Sequence, residues 1–321
     1  MEIFNPHSNI HFLNLRRYSI AVALVLFIGS IALLVTRGLN YGLDFTGGVL
    51  VEVSYAQPVD AGTVRETLAR AGYPHALVQG LGGTREFSIR LQPRGAADVR
   101  ALNQQQGAAD QVAAQVIRVL KAARPDATLK RTDFVGPQVG SELRNNGVVA
   151  VIFVIIGIMI YLWARFEKRF AVAALVTEVH DTIITLGFYA LTQRDFDLTV
   201  LASVLAVVGY SINDKVVVFD RVRELFRSAR RADSEDVLNR AINSTLSRTI
   251  ITSLFTGIAM AVLFFFGGPA VHGFAITMLI GIVVGTLSSI FIASPLLLWM
   301  GVSKKDLMPV TKENPELARR P

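Results

Sequence analysis

Glu178, His180 and Asp181 lie close together, and Asn213, Asp214 and Lys215 form a second polar group, each within a stretch otherwise largely apolar. Ionisable side chains inside apolar runs are costly to bury and tend to mark routes for protons or ions. Desolvation favours the neutral form of a carboxyl group, and a nearby guanidinium favours the charged form. A carboxylate and an arginine that separate and re-form are therefore a proton switch. Asp214 and Arg248, which opens a later apolar run, are the candidates for that chemistry. The same spacing fits a static ion pair, or an aspartate that reaches water at the membrane surface. His180 and Asp181 fit either a proton relay or a hydrogen bond that packs two helices.

Other chemistries are excluded or unsupported. The 321 residues contain no cysteine, so disulfides, thiolate metal sites and thiol nucleophiles are ruled out. The patterns GxxxxGK[ST], HExxH and GxSxG are absent from the sequence. The glycine cluster Gly80–Gly83 joins two strand-like segments instead of opening a helix, which disfavours a phosphate loop. No catalytic residue, cofactor or metal is expected, and the energy for any work must come from an ion gradient or a partner ATPase.

Six runs are long and apolar enough to span a bilayer, which takes about 20 residues: Tyr18–Thr36, Gly147–Trp163, Phe170–Leu191, Leu198–Phe219, Thr249–Phe266 and Phe274–Val302. The last is long, and Pro295 is expected to bend or end it. The first is read as an uncleaved anchor, since no A-x-A-like site follows it. Lys and Arg fix the orientation. Arg16 and Arg17, Arg165 with Lys168 and Arg169, the arginines from Arg221 to Arg248, and Lys304, Lys305 and Lys312 all fall on one side. The short loops opposite carry only Arg194. Both termini are thus expected in the cytoplasm. The net charge of +7 is then a topology signal, not a nucleic-acid signal.

This divides the chain into a cytoplasmic segment 1–17, a first span 18–36, a soluble domain 37–143 outside the cytoplasm, spans two to six over 144–302 with a cytoplasmic loop at about 220–248, and a cytoplasmic tail 303–321. The fourth span enters from outside at Leu198, so Asp214 lies about 24 Å deep at 1.5 Å per residue. Ser203, Tyr210 and Asp214 share a helix face. Within the soluble domain, Val49–Tyr55 alternates as a strand does, and Val59–Ala71 reads as a helix. Ala76–Gln79 and Glu86–Leu91 read as strands, Ala97–Ala123 as a long helix and Ala127–Phe134 as a closing strand. The order βαββαβ is that of the ferredoxin-like sandwich. Small residues repeat every four positions in two spans, at Thr249, Ser253, Gly257 and Ala261 and at Thr277, Gly281, Gly285 and Ser289. That pattern lets helices pack closely.

Five motifs in order carry a resemblance: GLDFTGG at Gly42–Gly48, FVGPQVG at Phe134–Gly140, GYSINDKVVVFDRVRE at Gly209–Glu224, SRTIITS at Ser247–Ser253, and GGPAVHGFAITMLIGIVVGTLSSI at Gly267–Ile290. Together they closely resemble the SecD/SecF family, on its SecF side, within the resistance-nodulation-division superfamily. The resemblance implies a six-span subunit of the bacterial Sec protein-translocation machinery in the inner membrane. It implies pairing with SecD, often with YajC, beside the SecYEG channel, and use of the proton-motive force to draw a translocating preprotein outward. The family's proton-conducting Asp and Arg map onto Asp214 and Arg248, and its histidine–aspartate pair onto His180 and Asp181. Gly42, Asp44, Gly47, Gly48 and Gly136 fall in the motifs flanking the soluble domain, where hinges are expected. Lys215 departs from the small polar residue expected after Asp214; it pairs with Asp214 or snorkels to the cytoplasmic surface. The rival readings are a non-conducting scaffold for SecD and the channel, and a superfamily exporter of small molecules or lipids.

Overall fold

The computed structural model describes residues 10–81, 83–91, 108–228 and 233–303. The soluble part is built from β2 (Gly48–Ser54), α3 (Ala61–Arg70), β3 (Leu77–Gly80), β4 (Glu86–Leu91), α4 (Ala108–Ala123) and β5 (Thr128–Val135). The strands form one antiparallel sheet in the order β3-β4-β2-β5. With two helices on one face, this is the expected ferredoxin-like sandwich. Alternation along β2 puts Val49, Val51 and Val53 inward against Val64, Leu68, Val116 and Leu120. Each such fully buried side chain contributes about 1.5–3 kcal/mol. The Asp60 carboxylate caps α3 by accepting from the Thr63 amide at 3.2 Å. The helix expected over 97–123 is seen from Ala108; residues 97–107 lie outside the described ones.

The domain is inserted between α1 (Arg16–Thr36) and α5 (Pro137–Arg165), by way of β1 (Asn40–Tyr41) and the single turn α2 (Leu43–Thr46). Then follow α6 (Lys168–Thr192), β6 (Asp195–Phe196), α7 (Leu198–Ser228), α8 (Ser234–Phe266) and α9 (Pro269–Ser288). A π turn (Ser289–Ala293) leads into α10 (Ser294–Trp299). Six helices among the described residues are long and apolar enough to cross a membrane.

Three stretches differ from the sequence reading. α5 begins at Pro137, so most of FVGPQVG is helix; Gly136, in extended conformation, is its N-cap. Proline at the first helical position loses no hydrogen bond there, which is why the helix can start so early. The segment expected to be a loop at about 220–248 is largely the continuation of α7 and the start of α8. Phe219, Val222 and Phe226 keep a helical apolar face among the arginines and pack on Val237, Leu238, Ala241 and Ile242. Finally, Pro295 does not end the last span. It has no amide N–H, so the Phe291 carbonyl four residues earlier is left over. The π turn absorbs the break, and Ser19 Oγ of α1 donates to that carbonyl at 2.9 Å.

Candidate functional site

Glu178 and Asp181 of α6 meet Lys215 of α7 in the interior of the helix bundle. Glu178 and Asp181 are one turn apart on α6, and Ser211 and Lys215 one turn apart on α7, so each pair presents two side chains to the other helix. Lys215 is fully buried, and its Nζ lies 2.8 Å from Glu178 Oε2, 2.8 Å from Asp181 Oδ2 and 2.7 Å from Ser211 Oγ. Asp181 Oδ2 also accepts from Ser211 Oγ at 2.8 Å and from Ser288 Oγ of α9 at 2.5 Å. Its other oxygen lies 2.9 Å from His180 Nδ1. The imidazole in turn stacks on Phe27 of α1, with ring centroids 5.9 Å apart. One ammonium thus ties together α6, α7 and, through shared oxygens, α9.

Close approach of the helices makes this possible. A Cβ on Gly285 would sit 2.8 Å from Ser211 Oγ, and one on Gly281 would sit 2.2 Å from Val207 Cγ2. Both glycines of α9 therefore let α7 come near enough for Ser288 to reach Asp181. Gly257 of α8, expected to serve the same purpose, has nothing of this chain within contact distance of such a Cβ.

Asp214 is 3% exposed, and its Oδ2 has no hydrogen-bond partner. Ser253 of α8 stands beside it, linked onward to Tyr210 at 3.3 Å and to Thr286 at 2.7 Å. Arg248 acts on Asp214 only through space: its side chain is exposed, and the described residues contain no ion pair between the two. Lys215 neither pairs with Asp214 nor snorkels; it turns to the opposite flank of α7. That preference was hidden in the sequence because adjacent helical residues point about 100° apart, so neither side chain follows the other. Glu178 stood in plain view as a charge in an apolar run, and its spacing to Asp181 was the available signal. The partners Ser211 and Ser288 carried none beyond being small polar residues.

The ends of these helices next to the soluble domain are tied to it. Asp44 Oδ2 accepts from the Leu198 amide at 3.0 Å, and so caps the first turn of α7, the helix that carries Asp214 and Lys215. Gly42 donates to the Phe196 carbonyl at 2.8 Å, and a Cβ on Gly42 would lie 2.9 Å from Asp197 Cβ. Gly47 has φ +68° and Gly48 φ +122°, values that favour glycine.

This arrangement has recorded relatives. Residues 115–303 match the model of the SecD/SecF protein export membrane protein C-terminal region, and residues 32–59 match the SecD/SecF GG motif. The first range holds every residue of the buried cluster, and the second holds Asp44. The protein translocase subunit SecF of Pseudomonas aeruginosa is 43% identical over 300 residues, covering 94% of each chain. That of Vibrio alginolyticus is 40% identical, covering 100% of this chain and 99% of the relative. That of Escherichia coli O157:H7 is 37% identical, covering 91% and 88%. Among solved structures, SecDF of Thermus thermophilus, described as a translocon-associated membrane protein, superposes with a TM-score of 0.81 at 34% identity. The match covers 94% of this chain but only 40% of that longer one. A SecDF in a super-membrane-facing form matches over the same shares with a TM-score of 0.66.

Proposed function

The chain belongs to the SecD/SecF family of protein export membrane proteins, and on that premise we propose that it couples a proton gradient to the outward movement of preproteins through the Sec machinery. The observation that carries this reading is Asp214, a carboxylate buried within an apolar bundle with one oxygen unpartnered. Such a group costs several kcal/mol to hold as an ion, and neutralisation by a proton relieves that cost. Lys215 gives Asp214 no hydrogen bond, because its three donors are already committed to Glu178, Asp181 and Ser211; its charge acts on Asp214 only through space.

Asp214 takes a proton from the outer side, and its attraction to the guanidinium of Arg248 is lost. Proton release to the cytoplasm restores the charge. On this reading the pair is apart when Arg248 is exposed, as it is here, with no ion pair to Asp214 among the described residues. His180 and Asp181 belong to the fixed network around Lys215, so their part is to hold α6, α7 and α9 in register while α7 responds. Both termini lie in the cytoplasm and the soluble domain on the far side. The unit acts with SecD, with YajC and the SecYEG channel beside it. The match to only 40% of a longer SecDF chain, and the different TM-scores to two solved SecDF forms, support a larger machine that changes arrangement.

The test is gradient-dependent preprotein export in inverted membrane vesicles carrying this subunit with its SecD partner. Asp214→Asn, assembled to the wild-type level, is expected to lose the gradient-dependent increment and to keep the ATP-driven basal rate. An unchanged increment would leave this subunit as a scaffold for its partners.

A further inference from the structure

Two covalent joints connect the soluble domain to the bundle, one through Gly42–Gly48 and one at Gly136. Two strings alone would leave the domain free to pivot about the line between them. A third attachment lies off that line. On β4, Phe87, Ile89 and Leu91 face the two helices of the domain, so Ser88 and Arg90 face the other side of the sheet. In a two-layer domain that side ordinarily meets water. Arg90 is nevertheless only 3% exposed, because the turn between α6 and α7 covers it.

Arg90 Nη2 lies 2.5 Å from Asp195 Oδ1, and its Nη1 donates to the Tyr41 carbonyl at 2.6 Å. Asp195 Oδ1 also accepts from Asn40 Nδ2 at 2.9 Å. The backbones reinforce the contact: β1 runs parallel to β6, pairing Asn40 with Asp195 and Tyr41 with Phe196. Gln193, with φ +52°, folds its side-chain amide onto the Gly38 carbonyl at 3.1 Å. A planar guanidinium with several donors suits such a junction, since it bridges a carboxylate and a carbonyl from separate segments at once.

We propose that the Arg90–Asp195 pair is the joint that makes the soluble domain turn with the α6–α7 hairpin. That hairpin carries Glu178, Asp181, Asp214 and Lys215. A shift of α7 then moves its outer end and β6 together, and Arg90 passes the displacement to β4 and the whole sheet. Arg90 acts through position, touching neither proton nor preprotein. The inference rests on the gradient-driven reading above.

The chain has no cysteine, so labelling sites can be introduced singly. Spin labels at Glu66→Cys on α3 and Thr192→Cys at the end of α6, both exposed positions, report the angle between domain and bundle. In the complex with a cysteine-free SecD, wild type is expected to give one narrow distance distribution. Arg90→Met and Asp195→Asn should each broaden it and abolish the gradient-dependent increment of export. The exchange Arg90→Asp with Asp195→Arg should restore both, which a merely damaged fold would not do. A narrow distribution in Arg90→Met, or a full increment despite the substitution, overturns the joint. Asp214→Asn in the same vesicles separates the two claims. If it abolishes the increment while Arg90→Met does not, the motor stands and the joint falls. If it leaves the increment intact, the motor falls, and the label distances alone judge the joint.

Discussion

Lys215 places its ammonium 2.8 Å from the carboxylate of Asp181 on the neighbouring helix, and turns away from Asp214, the residue beside it in the chain. Two buried carboxylates on neighbouring helices, Asp181 and Asp214, thereby have different surroundings. Asp181 is surrounded by donors from three helices, whereas Asp214 keeps an oxygen without any. A buried carboxylate ringed by donors has its desolvation offset, and one with an oxygen left unpaired does not. If Asp214 responds to protons as proposed, its difference from Asp181 follows from which flank of α7 the lysine occupies.

Removing that lysine should be expensive. Lys215→Met leaves Glu178 and Asp181 facing each other with no cation, and breaking a buried pair in this way costs about 3–5 kcal/mol. The detergent-solubilised subunit should show a markedly lower Tm. Adding Glu178→Gln removes one of the two stranded charges and should recover part of the loss, while Asp181 keeps Ser211, Ser288 and His180. A single variant as stable as wild type would show that the ammonium is not what holds these helices together.

The two small-residue stripes should respond differently to the same change. Gly281→Ala drives a methyl group into Val207, to within 2.2 Å, and both helix backbones must part. Overpacking of this kind costs about 1–3 kcal/mol, and because Ser288 lies on the same helix, its bond to Asp181 should lengthen. Gly257→Ala meets open space and should be neutral or slightly stabilising in the isolated subunit, since alanine favours helix by about 1 kcal/mol over glycine. Thermal unfolding of both variants, alone and with SecD, checks this. A loss for Gly257→Ala confined to the complex would mark that face as one covered by the partner.

The six spans and the βαββαβ domain were legible because each rests on a local period: long apolar runs for the helices, and alternation at Val49, Val51 and Val53 for the sheet. What escaped was set by neighbours in space. Depth arithmetic put Asp214 and Arg248 at similar levels, but depth does not say which way a long side chain turns, and Arg248 points to solvent. The helical faces of Phe219–Phe226 and Val237–Ile242 were masked by arginines whose charge read as loop. The Arg90–Asp195 contact joins residues from different domains, which no periodicity within either segment announces.

Asp44 offers the sharpest check on how the GLDFTGG segment works. Its carboxylate caps the Leu198 amide, so the motif after the first span holds the start of the helix that carries Asp214. A carboxylate there satisfies an otherwise unpaired N–H and sits at the positive end of the helix. Asp44→Ala removes both effects, at a cost of about 0.5–2 kcal/mol. Asp44→Asn keeps an acceptor of comparable capping strength and loses only the charge. Hydrogen exchange at Leu198–Leu201 should accelerate in the alanine variant and stay close to wild type in the asparagine variant. If export under a gradient follows the same order, the aspartate serves as an anchor for α7. If asparagine is protected like wild type yet export fails, the charge of Asp44 itself has a further role at this end of the bundle. Unaltered exchange in both variants would mean that the cap does not hold this helix.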